Sequence, residues 1–150
     1  MSEALLEAER GANAKEVPVG AVLVHSEFGL IARAHNLSFA LDDPAAHAEM
    51  LVLREGHNIL RSKYLDKCDL FTTLEPCAMC AYAVSLSRVR RLYFGACDYK
   101  SGGTENGGRV LYNASCHFVP EVYGGIREGA ARKLLTNFFV RLRMATEAGS

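Results

Sequence analysis

The sequence has 150 residues, 49% apolar and 23% charged, a balance that fits one soluble globular domain with a sizeable core and argues against disorder. Lysine plus arginine and aspartate plus glutamate number 17 each, so the net charge is +0 and a generic basic nucleic-acid binder is disfavoured. There is no export signal or bilayer-length apolar run, and the five cysteines are odd in number and unevenly spaced, so a cytoplasmic chain with reduced thiols and no membrane contact is expected.

Ser2 to Ala14 reads as a short helix, with Ala4, Leu5 and Ala8 on one face and Glu3, Glu7 and Arg10 on the other. Val17 to Val24 is almost wholly apolar, as expected of a strand covered on both faces. A loop through Ser26 and Gly29 returns the chain into Leu30–Ala34, an antiparallel partner followed by Asn36. Pro44 to about Gly56 reads as a helix: Asp42 or Asp43 caps it, Pro44 starts it, Ala46, Met50 and Leu53 form its apolar stripe, and Gly56 stops it. Asp69–Thr73 is a third strand, Pro76 to about Ser87 a helix, and Arg91–Phe94 a fourth strand, a succession that implies a parallel pair with a crossover helix. The run Ser101–Gly108 must be a loop, either a mobile lid or a plain connection. A last strand near His117–Tyr123 precedes a C-terminal helix from about Arg127, with Ala130, Leu134 and Phe138 on its apolar face. With no repeat, linker or break in composition, residues 1–150 are expected to form a single α/β domain. Its architecture should be a three-layer α/β/α sandwich, with a central mixed five-stranded sheet and helices on both faces.

Two stretches carry chemistry. Cys77-Ala-Met-Cys80 follows a proline, and residues three apart in a first helical turn are neighbours, so both thiols face one opening. Upstream, His47 and Glu49 also follow a proline. They lie roughly 200° apart on an ideal helix, yet first-turn side chains lean toward the N-terminus and both can overhang the same opening. Two such helix starts facing one another would gather His47, Cys77 and Cys80 around one zinc ion, with Glu49 beside it as proton carrier. Three protein ligands leave a fourth position open, the arrangement of a catalytic rather than a structural zinc. The reaction such a site suits is hydrolytic loss of ammonia from an amino-substituted heterocycle. A thioredoxin-like redox pair accounts for the thiols but not for His47 and Glu49. A structural zinc wants a fourth ligand, and Cys68, Cys97 and Cys116 are not in a paired spacing.

His47-Ala48-Glu49 with Pro76-Cys77-Ala78-Met79-Cys80 resembles the signature of the cytidine/deoxycytidylate deaminase superfamily. Glu16-Val-Pro-Val-Gly-Ala21, Asn36, Asp43-Pro44, Thr73-Leu-Glu-Pro, Phe94 to Lys100 and Phe138-Phe139 further resemble the bacterial tRNA-specific adenosine deaminases, over about Glu16 to Arg143. That resemblance implies a cytidine deaminase-like fold and conversion of the wobble adenosine of tRNA to inosine. One zinc per subunit would sit on His47, Cys77 and Cys80, and Glu49 would shuttle protons. It further implies that Asn36, helped by the backbone of Ala48, binds the purine, that Asp98 and Lys100 lie near the flanking nucleotides, and that Phe138 and Arg141 touch the anticodon stem-loop. A homodimer sharing its RNA site across subunits completes the expectation. The competing functions are a free-base deaminase acting on guanine or cytosine, and a zinc-stabilised RNA-binding module without turnover; the latter has no use for Glu49.

Overall fold

The computed structural model describes residues 1–150. In order they form α1 (Ser2–Asn13), β1 (Gly20–His25), β2 (Gly29–His35), α2 (Ala48–Leu60), β3 (Cys68–Leu74), α3 (Ala78–Leu86), β4 (Arg91–Ala96), a single 3-10 turn (Val110–Tyr112), β5 (Glu121–Tyr123) and α4 (Glu128–Ala148). The strands make one five-stranded sheet in the order β2-β1-β3-β4-β5. β1 runs antiparallel to both β2 and β3, whereas β4 is parallel to β3 and to β5, so the sheet is mixed as the sequence implied.

α1 and α4 pack together against one face, and α2 with α3 against the other. The larger core lies under α2 and α3, where Val52, Leu53 and Val84 meet Ala21, Leu23, Leu70 and Leu92. A smaller cluster of Leu5, Ala96 and Ala131 joins α1 and α4 to the sheet. β1 is buried on both sides, and its alternation can be read from two glycines. A Cβ on Gly20 would lie 2.0 Å from the Ala4 carbonyl oxygen and 2.5 Å from the Ala8 nitrogen, so α1 lies directly on the strand there. A Cβ on Gly56 of α2 would lie 2.3 Å from Leu23 Cδ2, on the opposite face. Because backbone atoms block the first of these positions, Gly20→Ala should destabilise the fold by about 3 kcal/mol. A urea titration should show the midpoint falling with the slope unchanged.

Several element boundaries differ from expectation, for identifiable reasons. Val17–Val19 is not strand: Pro18 has no N–H, and the Val19 N–H closes a tight turn onto the Val17 carbonyl (2.8 Å). α2 begins at Ala48 rather than Pro44, because Asp43 organises a turn, accepting from the Ala45 N–H at Oδ1 (2.9 Å) and from the Ala46 N–H at its carbonyl (3.1 Å). Gly56 does not stop α2; it admits Leu23, and the helix ends at Arg61, which adopts the left-handed conformation (φ 48). α3 likewise begins at Ala78, two residues after Pro76. β5 is only Glu121–Tyr123, since Cys116 and Phe118 are engaged by Ser85 of α3 instead.

Candidate active site

The shifted helix starts decide how the site is built. His47 is the N-cap of α2 with extended backbone (φ −76, ψ 148), and Cys77 is the N-cap of α3 (φ −66, ψ 174). Neither side chain caps its own helix, so both are free to point across the gap between the two N-termini. Glu49 and Cys80 sit inside the first turns. Since His47 stands outside the helix proper, the roughly 200° separation from Glu49 expected on an ideal helix does not apply.

His47 Nδ1 lies 3.6 Å from Cys77 Sγ and 3.5 Å from Cys80 Sγ, and the three donor atoms all fall within 4.8 Å of one another. A tetrahedral zinc with sulfur at about 2.3 Å and nitrogen at about 2.05 Å would separate nitrogen from sulfur by about 3.6 Å. The donor set therefore fits that ion in both chemistry and spacing. No other His, Cys, Asp or Glu completes the group. Cys68 is enclosed in the core, and Cys116 is hydrogen-bonded to Ser85, so neither supplies a fourth ligand.

Crowding three lone-pair donors leaves them sharing protons. Its hydrogen bond with Cys80, opposed by burial and aided by His47, holds the Cys77 thiol well below the usual range. Cys80 moves upward, first through that same bond and then through burial and the Glu49 charge. His47 is raised, chiefly by its bond to Cys77. One thiolate thus forms readily here, the state a cation requires.

Glu49 is buried, and burial raises its pKa, with bonds from its own backbone N–H and from Thr72 only partly offsetting that effect. Its Oε1 accepts from the Thr72 hydroxyl (3.1 Å), and its Oε2 lies 3.7 Å from Cys80 Sγ. A second buried carboxylate, Glu75, has the opposite character. Burial again opposes its charge, but donors from Asn106, Asp98 and Thr104 outweigh this and hold it below the ordinary range. Of the two, Glu49 is the one whose surroundings suit gaining and losing a proton.

His47, Glu49 and Cys77 open onto a cavity of about 290 Å³, whose other walls include Asn36, Phe39, Leu74, Asp98 and Ser101. Polar groups converging on one concave space beside a metal-ligand set are what a small aromatic substrate needs.

Comparison with known proteins agrees with this geometry. The profile of the cytidine and deoxycytidylate deaminase zinc-binding region matches residues 1–96. A tRNA-specific adenosine deaminase of Agrobacterium fabrum is 44% identical over 96% of this chain and 94% of its own, and one of Aquifex aeolicus is 45% identical over 93% and 91%. The chain belongs to the tRNA-specific adenosine deaminases. A solved structure from a study of A-to-I editing by tRNA:A34 deaminases superposes with a TM-score of 0.87 at 44% identity, covering 90% of this chain and 97% of that one. A guanine deaminase from Nitrosomonas europaea shares the fold at 0.78 and 26% identity, covering 91% and 81%.

In this adenosine deaminase the expected purine-side residues fall in two places. Asn36 lines the cavity, and its Oδ1 accepts the Ala48 N–H (2.9 Å), which leaves its amide nitrogen without a protein partner. Ala48 is fully buried, and its N–H is occupied by the Asn36 side chain. Asp98 also lines the cavity, but its Oδ1 accepts the N–H groups of Lys100 (3.2 Å) and Ser101 (2.8 Å) and so shapes its own loop. Lys100 is exposed and outside the cavity wall. Phe138 and Arg141 lie elsewhere, in a groove of about 470 Å³ between α1 and α4 that also includes Asn13. Glu16 and Val17, just beyond Asn13 in the chain, line the active cavity, and the two spaces share no lining residue.

Sequence reasoning assigned no role to three polar residues that build the site: Thr72, and Glu16 and Glu75, which entered only as part of the family pattern. Glu16 is 1% exposed and accepts the N–H groups of Phe39 (3.1 Å) and Ala40 (2.7 Å), fixing the loop that brings Phe39 to the cavity. A lone acid bordering an apolar strand was the available signal for Glu16 and for Glu75.

Proposed function

We propose that this enzyme deaminates the wobble adenosine of tRNA to inosine within an anticodon stem-loop, with His47, Cys77 and Cys80 holding its zinc and Glu49 carrying the protons. The observation that carries the assignment is the spacing of those three donors beside a buried, weakly hydrogen-bonded Glu49 at the floor of a base-sized cavity. Zinc held there supplies a water whose pKa is lowered from about 15.7 toward 7. Glu49 would take the proton released as the water oxygen bonds to C6 and deliver it to the ring nitrogen. It would then take the remaining proton from the new C6 hydroxyl and hand it to the departing amine as the C6=O bond forms. The C6–N bond breaks and ammonia leaves. The free amide nitrogen of Asn36 donates to the purine ring, and the Thr72 hydroxyl keeps Glu49 aimed into the cavity. A base in a structured loop must be splayed out before it can enter such a space. Asp98 and Lys100 face the flanking nucleotides, while Phe138 and Arg141 meet the stem-loop along the groove between α1 and α4.

The remaining assignments follow the family. A single domain is supported by one sheet with a core on each face. A homodimer is supported by Met79, Tyr82 and Leu86, an exposed apolar row along α3. No helix is long and apolar enough to cross a membrane, and a cytoplasmic location fits a tRNA substrate and five free cysteines.

The test compares substrates. Purified enzyme should form inosine in a wobble-adenosine stem-loop and leave free guanine and cytosine intact. Consumption of a free base with an untouched stem-loop would replace this reading by that of a free-base deaminase.

A further inference from the structure

The glycine-rich run after β4 is neither a lid nor a plain connection, and Glu75 is the reason. This residue joins β3 to Cys77 and is 1% exposed. Its Oε1 accepts from the Thr104 hydroxyl (2.9 Å) and from the N–H groups of Glu105 (2.9 Å) and Asn106 (2.8 Å). Its Oε2 accepts from the Asp98 N–H (2.9 Å) and from Asn106 Nδ2 (2.8 Å). Five donors use the full acceptor capacity of a carboxylate, which offers about four lone-pair sites. Both ends of the Asp98–Asn106 loop are thereby drawn onto one side chain.

Two glycines let the loop come that close. A Cβ on Gly102 would lie 2.7 Å from the Glu75 carboxyl carbon, and one on Gly103 would lie 2.6 Å from Ala78 Cα. The Gly103 N–H then bonds the Pro76 carbonyl (2.7 Å), and Gly102 pairs with Cys77 as an isolated antiparallel bridge. Asp98 and Ser101, carried on this loop, form one wall of the active cavity.

We propose that Glu75 is a positioning residue that holds the Asp98–Asn106 loop as a rigid, preset wall for the nucleotide bearing the target base. A wall fixed before binding removes the ordering cost that a mobile loop would charge against affinity. Glu75 borders the cavity but lies outside the metal-ligand group, and both its carboxylate oxygens are taken up by loop donors, so its influence falls on substrate binding more than on the chemical step. The inference rests on the stem-loop being the substrate.

The experiment uses wild-type enzyme, Glu75→Gln, Asn106→Ala and the pair E75Q/N106D. Glu75→Gln turns one acceptor into a donor facing two other donors, and the KM for the stem-loop should rise about tenfold with kcat within about twofold. Asn106→Ala, on a partly exposed loop position, should raise KM about threefold. In the pair the new amide can donate to the new carboxylate, and part of the lost affinity should return. Backbone amides of Asp98, Glu105 and Asn106 should exchange with deuterium faster in Glu75→Gln, with zinc content unchanged. Wild-type KM in both single variants would overturn the proposal, as would a fall in kcat with KM intact or a loss of zinc. Wild-type enzyme inert toward the stem-loop would instead sink the substrate reading, and the exchange rates would still test the wall.

Discussion

Glu49→Ala is expected to keep its zinc and its fold and to lose deamination by about 10³-fold or more. General acid–base catalysis by one positioned group is worth roughly 10² to 10⁴, and Glu49 serves two successive proton transfers. Stability should not suffer. Burial disfavours the charge of Glu49, and its side-chain partners are one threonine hydroxyl and one long contact to a thiol. Removing a costly buried carboxylate leaves Thr72 its alternative acceptor, the Leu74 carbonyl at 3.2 Å, so no polar group is orphaned. Single-turnover conversion of the stem-loop, metal analysis and a melting curve together check the prediction. Undiminished turnover would remove Glu49 from the mechanism; turnover lost together with zinc would make it a structural group.

Cys80→Ala should behave in the opposite way, losing metal and stability together. The sulfur lies within the compact donor group, and two remaining donors cannot hold zinc against competing solvent. An ion bound about a thousandfold above its dissociation limit contributes about 4 kcal/mol to the folded state. That corresponds to a melting temperature lower by ~10 °C in a chain of this size. Chelator should lower the wild-type melting temperature to the same extent and leave Cys80→Ala unmoved, because the variant has no cation to surrender. A fully metallated Cys80→Ala protein of wild-type stability would refute the ligand role.

How much of this was legible in the sequence depends on the range over which each signal acts. The His47 and Cys77 motifs are local, and the superfamily pattern they match needs no tertiary information. The mixed sheet was also accessible, because a strand, a crossover helix and a strand in sequence demand a parallel pair. Helix starts were misjudged because a proline after an acidic residue, as in Asp43-Pro44 and Glu75-Pro76, looks the same whether it opens a helix or a turn. In α2 and α3 alike it precedes the N-cap, and that offset of a few residues is what lets His47 and Cys77 reach across. Gly56 was misread because a helix stop and a close approach by Leu23 both ask for a residue without a side chain. The roles of Glu16 and Glu75 stayed hidden, although both belong to the family pattern, because their partners lie 23 or more residues away.

The ligand cluster is split along the chain, and that split imposes an order of assembly during synthesis. The imidazole of His47 leaves the ribosome 30 residues ahead of the first thiol, and the segment that closes beside Cys77 emerges later still. A cation can be captured once β3 has brought the second helix alongside the first, while that flank is still open.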